Sequence, residues 1–449
     1  MRFLKRLLNY SSLFPTTLFY YAGFGAAVLF SASYFLPVLF TLGLTVVVFT
    51  LVVFLFDLYL LYSTRRGLDA YRETGERFSN GDENKVGIRI ENEYGFAVDC
   101  TVIDELPFQF QERSWKRHLH IESGKALDLV YTLIPKQRGE YGFGDINIYV
   151  RSPLRLISRR YRFEQPQVVK VYPSYLQVRK YSLLAATNRL QEAGVKKIRR
   201  LGHSLEFEQI KEYVRGDDYR TVNWAATARR GDLMINNYTD ERSQQIYCIV
   251  NKGRTMKLSF NGVTLLDYAI NAALVLSNVA LQRRDRAGLI TFGRSLDTFL
   301  AADKKPGQQN AILEALYRER TDFSEVDFEK LFAVVRNRIT QRSLLVLFTN
   351  FESIESLERE LPSLKRMAHY HLLIVVFFEN TELKALTEAT APTLEGIYTK
   401  TIAEKFAAEK RLIVKELCKA GIIALLTTPE GLTVNAINKY LEVKNRQAL

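Results

Sequence analysis

A cluster of charged side chains around one tryptophan is the part of this sequence whose residue types could do chemistry. It comprises Glu206, Arg215, Asp217, Asp218, Arg220, Trp224 and Arg229. Paired carboxylates such as Asp217 and Asp218 could serve acid/base catalysis, but adjacent side chains normally point apart. Guanidinium groups instead suit bidentate pairing with carboxylates or stacking on an aromatic ring. We therefore predict no catalytic residue and expect a packed ion network, with a partner-docking or phosphate-recognising surface as the alternative.

A second group of polar residues follows two predicted strands farther along the chain. It comprises Asn251, Gly253, Thr255 and Asn350. In position these residues resemble the metal loop of von Willebrand factor A-type domains, in which an Asp-x-Ser-x-Ser loop and a later Thr and Asp bind a divalent cation. Here amides replace both acids, and Lys252 and Arg254 add positive charge that opposes a cation. We therefore predict no bound metal and no cofactor.

Three interpretations of this degenerate loop remain open. The loop could be a relic kept for packing, in which Asn251 and Asn350 hydrogen-bond across the strand ends. It could also bind a metal weakly. In the third interpretation Arg254 and Thr255, beside a helix amino terminus, accept an acidic side chain from a partner.

The charged cluster belongs to a longer motif that resembles the signature of the bacterial domain-of-unknown-function 58 family. The matching residues are Glu206-Phe207, Tyr213, Arg215-Gly216-Asp217-Asp218-Tyr219-Arg220, Trp224 and Ala228-Arg229. Two positions depart from the family pattern, since Lys211 stands where an arginine is expected and Asn223 where an acid is expected. The resemblance implies two amino-terminal membrane spans, a β-rich section and a carboxyl-terminal A-type domain. It also implies a partner, because members are often encoded beside AAA+ ATPases of the MoxR type.

The amino-terminal segment 1–65 reads as a transmembrane helical hairpin. No Asp, Glu, Lys or Arg occurs between Arg6 and Asp57, and a spanning helix needs only about 20 apolar residues. We place the spans near Leu13–Phe35 and Leu39–Leu61, with Pro37 in the turn.

The charges that flank this hairpin predict its orientation. Arg2, Lys5 and Arg6 precede the first span, Arg65 and Arg66 follow the second, and the turn carries no charge. Both ends should therefore face the cytoplasm, which places the amino terminus and the soluble domains on the cytoplasmic side of a bacterial inner membrane. We expect Asp57 to snorkel or to pair with Arg65 or Arg66.

The sequence pattern after the hairpin predicts two soluble domains, which the signature segment, 195–242, separates. A polar connector, Ser63 to Glu76, leads into short alternating runs that predict a β-sandwich over 75–175. Over 243–445, five short apolar runs alternate with helical patterns, which predicts a doubly wound parallel sheet with helices on both faces. The fold class is thus an α+β multidomain membrane protein.

The composition and the absence of several enzyme motifs limit the classes of function that this sequence allows. The net charge of +13 is spread along the chain, so we predict contact with a lipid bilayer and not with nucleic acid. The three cysteines are too far apart for a disulfide framework. No phosphate loop, metalloprotease motif or nucleophile elbow occurs.

We expect a membrane-anchored, non-catalytic adaptor that binds a protein partner. The alternatives are an envelope enzyme that uses the Asp/Arg cluster and a self-associating architectural membrane protein.

Overall fold

The computed structural model describes most of the chain. The described residues are 12–64, 66–179, 206–214, 217, 219–239, 243–388 and 393–446, with only the backbone of 206–209, 237–239 and 445. The chain divides into two compact units, Met1–Tyr172 and Pro173–Leu449.

Two apolar helices form the start of the first unit. A short strand, β1 (Leu13–Pro15), precedes α1 (Thr17–Ala32), and α2 (Val38–Ser63) begins directly after Pro37. The predicted first span is wrong at its start, because Leu13–Pro15 pairs antiparallel with Ile157–Arg159. Helix α1 therefore has 16 residues, or about 24 Å of rise, whereas the 26 residues of α2 rise about 39 Å.

Length and composition allow a membrane crossing for two helices in the described part of the chain. They are Val38–Ser63, whose residues are largely exposed, and Leu265–Gln282, which is mostly buried inside the second unit. Burial of the latter is typical of a core helix in a soluble domain. Helix α2 thus remains the stronger candidate for a span.

Asp57 does not snorkel to the surface, so that expectation is wrong, and among the described residues Arg66 is not its ion-pair partner. Arg65, the other predicted partner, lies outside the described residues. The Asp57 carboxylate is buried and accepts hydrogen bonds from the backbone N–H groups of Leu156 (3.1 Å) and Ile157 (3.0 Å) and from the Ser152 hydroxyl. A buried carboxylate is tolerated when such donors satisfy it. The last turns of α2 are therefore fixed to the β-rich part of the same unit.

Ten strands follow in the first unit. They are β2 (Leu68–Thr74), β3 (Arg77–Ser79), β4 (Asn84–Asn92), β5 (Val98–Asp104), β6 (Arg117–Ile121), β7 (Ala126–Leu133), β8 (Gly139–Phe143), β9 (Ile146–Arg151), β10 (Ile157–Phe163) and β11 (Gln167–Tyr172). They form three sheets, with the orders β1-β10-β9-β5-β6, β2-β4-β7 and β3-β11-β8. All pairs are antiparallel except β3 with β11. The sheets bury their alternating apolar residues in one core; the two-layer sandwich itself stays a prediction.

The predicted polar connector is partly wrong, because β2 occupies half of it. Leu68, Ala70 and Arg72 all point inward. The Arg72 guanidinium is buried and pairs with Asp104, which also accepts a hydrogen bond from the Tyr131 hydroxyl. Arginine reads as polar in a sequence, yet here it is an inward side chain whose charge is compensated.

The described part of the second unit begins with residues 173–179, which are helical over 175–179, and continues after a gap with a strand pair that flanks a short helix. Strand β12 (Glu206–Glu212) pairs antiparallel with β13 (Met234–Thr239), and α3 (Trp224–Arg230) lies in the connection. This arrangement places the family-like signature on one local substructure.

A six-stranded sheet forms the core of the second unit. Its elements are β14 (Gln245–Asn251), the small hairpin β15 (Ser259–Phe260) and β16 (Val263–Thr264), α4 (Leu265–Gln282), β17 (Arg286–Phe292), β18 (Leu296–Asp303), α5 (Gln308–Arg318), α6 (Phe328–Arg338), β19 (Leu344–Phe348), α7 (Ile354–Tyr370), β20 (Leu372–Phe378), α8 (Thr381–Glu388), α9 (Leu394–Lys419), β21 (Ile423–Thr427) and α10 (Leu432–Asn445). The sheet order is β18-β17-β14-β19-β20-β21, and only the β17–β18 pair is antiparallel. Helices α4, α5 and α10 cover one face, and α6, α7 and α9 cover the other.

The predicted parallel sheet with helices on both faces is thus present. The small hairpin of β15 and β16, the edge strand β18 and α8, a helix of 8 residues, were not predicted. The five predicted strands of this domain all occur as parallel strands. Sites in such sheets lie at the carboxyl ends of the strands.

Candidate functional site

Asn223 caps the helix of the signature segment. Its Oδ1 accepts the backbone N–H of Ala226 at 3.0 Å, and α3 ends at Gly231, whose φ of 82° is left-handed. Asparagine is a favoured amino-terminal cap, and glycine favours the left-handed closing position. The departure from the family pattern at Asn223 therefore leaves a polar side chain that serves the local fold.

Asp217, which precedes this helix, bonds back to two earlier residues of the segment. Its carboxylate accepts the Val214 backbone N–H at 3.0 Å and pairs with the Lys211 ammonium at 3.1 Å. The bond from Val214, and next the bond from Lys211, hold the pKa of this carboxyl below its usual range. Lys211, the other departure from the family pattern, is thus an ion-pair partner of Asp217.

Aromatic and basic side chains of the segment are exposed. Trp224 is 72% exposed, Tyr219 71% and Val214 64%, and Arg220 and Arg229 are exposed as well. The Arg220 guanidinium lies over the Tyr219 ring, 5.8 Å from its centroid. We call the exposed side chains of Val214, Tyr219, Arg220, Trp224 and Arg229 the signature surface.

The structure tests the predicted ion network only in part. Arg215, Asp218 and the side chain of Glu206 lie outside the described residues. Of the remaining members, Asp217 pairs with Lys211, and the ring of Trp224 is largely open to solvent. The described part of the cluster is therefore an exposed surface around one ion pair.

The degenerate metal loop is closed by its own hydrogen bonds. Asn251 is buried; its Oδ1 accepts the Gly253 N–H at 2.7 Å and its Nδ2 donates to Thr349 Oγ1 at 2.8 Å. A Cβ on Gly253 would lie 2.5 Å from Val326 Cγ1, so a serine ligand at this position would require a shift of the neighbouring loop. Asn350 Nδ2 donates to the carbonyl of Thr255 at 3.3 Å.

Lys252 does not project its charge toward this loop, contrary to our expectation. Its buried ammonium lies 2.6 Å from carboxylate oxygens of both Asp297 and Glu319. Burial alone would lower the pKa of Lys252, but the hydrogen bonds that its ammonium donates to these two carboxylates leave the pKa raised. Arg254 is also near a carboxylate, 3.8 Å from Glu352. Both positive charges are thus compensated locally.

Lys410 of α9, which was not predicted as a site residue, reaches the same edge of the sheet. Its Nζ donates to Asn350 Oδ1 at 2.8 Å and to the carbonyl of Phe351. Burial lowers the pKa of Lys410 to about 8. The spacing could have revealed it, because Lys410 lies seven residues after Ala403 and seven before Leu417, on the stripe that α9 buries.

A pocket of about 340 Å³ opens beside Lys410. It lies at the carboxyl ends of β19, β20 and β21, between α8 and α9. Its apolar walls include Leu258, Phe260, Phe378, Leu383, Phe406 and Leu426. In position it fits the edge at which parallel sheets bind ligands.

Comparison with known proteins finds matches to both the signature region and the second unit. The family model described as "Protein of unknown function DUF58" matches residues 209–399. The Bacillus subtilis (strain 168) protein described as "Uncharacterized protein YeaD" is 25% identical over 177 residues, which are 39% of this chain and 42% of that protein. The match thus spans less than half of this relative's length.

Solved structures give weaker likenesses. The SpRpn10 VWA domain is 10% identical, with 43% of this chain and 93% of that one covered at a TM-score of 0.27. The CARDB domain of the PF1109 protein from Pyrococcus furiosus is 14% identical, with 23% and 86% covered at a TM-score of 0.18. TM-scores this low do not establish a common fold. The match of the family model over residues 209–399 and the distant relative YeaD support the DUF58 family for this chain.

Proposed function

We propose that this protein is a membrane-anchored, non-catalytic adaptor that docks a protein partner through the signature surface and its degenerate A-type domain. The observation that carries the proposal is the exposure of Trp224, Tyr219 and Arg220 on one small substructure. Tryptophan, tyrosine and arginine are the residues that most often dominate the binding energy of protein interfaces.

Two local hydrogen bonds of the described residues also support a docking role. The Asp217 carboxylate accepts the Val214 N–H, and Asn223 caps α3. Because these bonds restrain the backbone at Val214 and at the start of α3, a partner would lose less entropy on binding there. The only carboxylate of the cluster that the structure describes is engaged in an ion pair, which leaves it poorly placed as a general acid or base.

The degenerate loop supports a role without metal chemistry. Both amides bond to neighbouring protein atoms, and the position next to them lacks room for a serine side chain. Hard cations prefer charged oxygen ligands, which amides do not supply. The A-type domain would then act as a binding scaffold.

The family resemblance suggests the partner and the compartment. We propose an AAA+ ATPase of the MoxR type, bound on the cytoplasmic side of the inner membrane to a protein that α1 and α2 anchor. The exposed apolar residues of α2 support the anchor, since a soluble protein rarely exposes so large a contiguous apolar area.

Affinity purification of the tethered protein after mild crosslinking tests this function. We expect the wild type to capture the MoxR-type ATPase, and Trp224→Ala and Arg220→Ala to lose it while unfolding at the wild-type temperature. Matched controls are Phe108→Ala, which removes an aromatic ring that is 85% exposed, and Arg342→Ala, which removes an exposed arginine. Both controls should retain the ATPase.

Other results would contradict the adaptor in distinct ways. Equal capture of the ATPase by all variants would show that the signature surface is not the docking site. Absence of any captured protein partner would contradict the adaptor role. The enzyme alternative requires that Asp217→Asn abolish a chemical activity while folding and partner binding stay intact. A detergent-corrected mass of several copies without any other protein would favour the self-associating alternative.

A further inference from the structure

Among the described residues, the Lys410 ammonium donates hydrogen bonds only to neutral acceptors, although the Glu352 carboxylate attracts it from a greater distance. Two of its three N–H groups are used by Asn350 Oδ1 and the Phe351 carbonyl. Within the described ranges no carboxylate oxygen lies within 4.0 Å of its Nζ, and the nearby Glu352 is 3.8 Å from Arg254. A partly buried ammonium without a carboxylate is costly, so an anion would be a favourable neighbour.

The pocket beside Lys410 has room for an apolar body next to that charge. Its volume of about 340 Å³ lies in the range of small-molecule sites, which are mostly apolar with a few placed polar groups. Leu258, Phe378, Leu383, Phe406 and Leu426 supply apolar walls, and Asn350 and Lys410 supply the polar end.

The rim of the pocket restricts the charge of the ligand. Glu352, Glu379 and Glu388 are acidic, and Lys384 and Arg411 are basic. Lys384 lies 3.9 Å from Glu379, so part of the positive charge is already compensated. Such a rim opposes a polyanion but admits a single negative charge that reaches Lys410.

We propose that this pocket binds a monocarboxylate carried on an apolar body, with the Lys410 ammonium as its counter-ion. Nothing in this assignment requires the adaptor role, because the pocket and the signature surface are formed by different residues. The carboxylate would take the remaining N–H of Lys410, and the apolar body would fill the space between α8 and α9.

Calorimetric titration of the full chain in phospholipid nanodiscs tests the site. The probes are 4-phenylbutanoate and its neutral isostere 4-phenylbutanamide, with empty nanodiscs as the partitioning control. We expect the acid to bind at least about tenfold more tightly than the amide, because only the acid forms a charge-assisted bond. Lys410→Met should abolish that preference, whereas Lys405→Met, which removes an exposed charge from the same helix, should retain it.

A second probe pair distinguishes the source of the carboxylate. A short peptide that ends in phenylalanine with a free carboxylate is compared with the same peptide as its carboxyl-terminal amide. Lys410-dependent binding of either acid supports the site and shows whether free acids or chain termini fit it. Ala407→Phe, which fills the pocket but keeps Lys410, should weaken the same binding. The proposal is overturned when neither acid binds, or when acid binding survives Lys410→Met in a folded protein.

Discussion

At the scale of single residues, the titration of Lys410 should affect the stability of the fold. Burial lowers its pKa to about 8 from a usual value of 10.5. Between these values the unfolded chain binds more protons than the folded chain, so the free energy of unfolding rises with pH across this window. Below pH 8 the cost of the charged form is fully present, on the order of 3 kcal/mol.

Replacing Lys410 by methionine should therefore stabilise the protein near neutral pH. We expect Lys410→Met to raise the free energy of unfolding by about 1–3 kcal/mol at pH 7, because an apolar chain of similar length carries no charge to bury. The gain should shrink toward pH 10, where the wild-type lysine is largely neutral. Urea unfolding in nanodiscs at both pH values measures this, with Lys405→Met as the control; a gain that is independent of pH would contradict the assignment.

Gly253 gives a second prediction for a single residue. Gly253→Ala should lower the free energy of unfolding by about 1–3 kcal/mol, as is usual for overpacking, because its Cβ would lie 2.5 Å from Val326 Cγ1. Val326→Ala should relieve this penalty in the double variant, which a double-mutant cycle of unfolding measures. Additive effects of the two substitutions would show that the contact is not the cause.

At the scale of elements, the carboxylate of Asp57 connects α2 to the loop before β10. Asp57→Ala should remove acceptors from the Leu156 and Ile157 amides, at a cost of about 1–3 kcal/mol for each unsatisfied buried group. Hydrogen exchange of these two amides should become at least about tenfold faster. Asp57→Asn, which keeps one acceptor oxygen, should have a smaller effect. Unchanged exchange of the two amides in Asp57→Ala would contradict this role of the Asp57 carboxylate.

The sequence predicted elements best where periodicity was strong. The alternation of strands and helices over 243–445 was predicted as observed, because short buried strands and longer helical patterns differ clearly in period. Strand β2 was missed because its inward Arg72 reads as polar, and its partner Asp104 lies 32 residues away. The role of Asp57 was missed for a similar reason, since its donors follow it by about 100 residues. Tertiary partners of buried charges are not visible in local patterns.

The sequence predicted some residues of the candidate site and missed others. The loop residues Asn251 and Asn350 were found from their positions after strands, and the structure places both at the carboxyl edge of the sheet. Lys410 was missed because charged neighbours in the helix conceal its place on the buried stripe. The signature motif was recognisable, but the exposure of Trp224 follows only from the three-dimensional arrangement.

At the scale of the whole molecule, the apolar exterior of α2 should keep the chain in the membrane. We expect the wild type to stay in the pellet during alkaline carbonate extraction. Lysines at Val47 and Leu51, which are exposed on α2, should shift the protein toward the supernatant, since a lysine at a span centre costs about 2.5–3.5 kcal/mol. Alanines at the same positions serve as the control. Release of the wild type by carbonate would contradict an integral anchor.

The adaptor role depends on whether the signature surface touches a partner in the cell. Photo-crosslinking from position 224 tests this most directly, with benzoylphenylalanine in place of Trp224 and, as the control, in place of the exposed Phe108. The adaptor account predicts a crosslink to a MoxR-type AAA+ ATPase from position 224 and none from position 108. No crosslinked protein from position 224, or the same products from both positions, would contradict it.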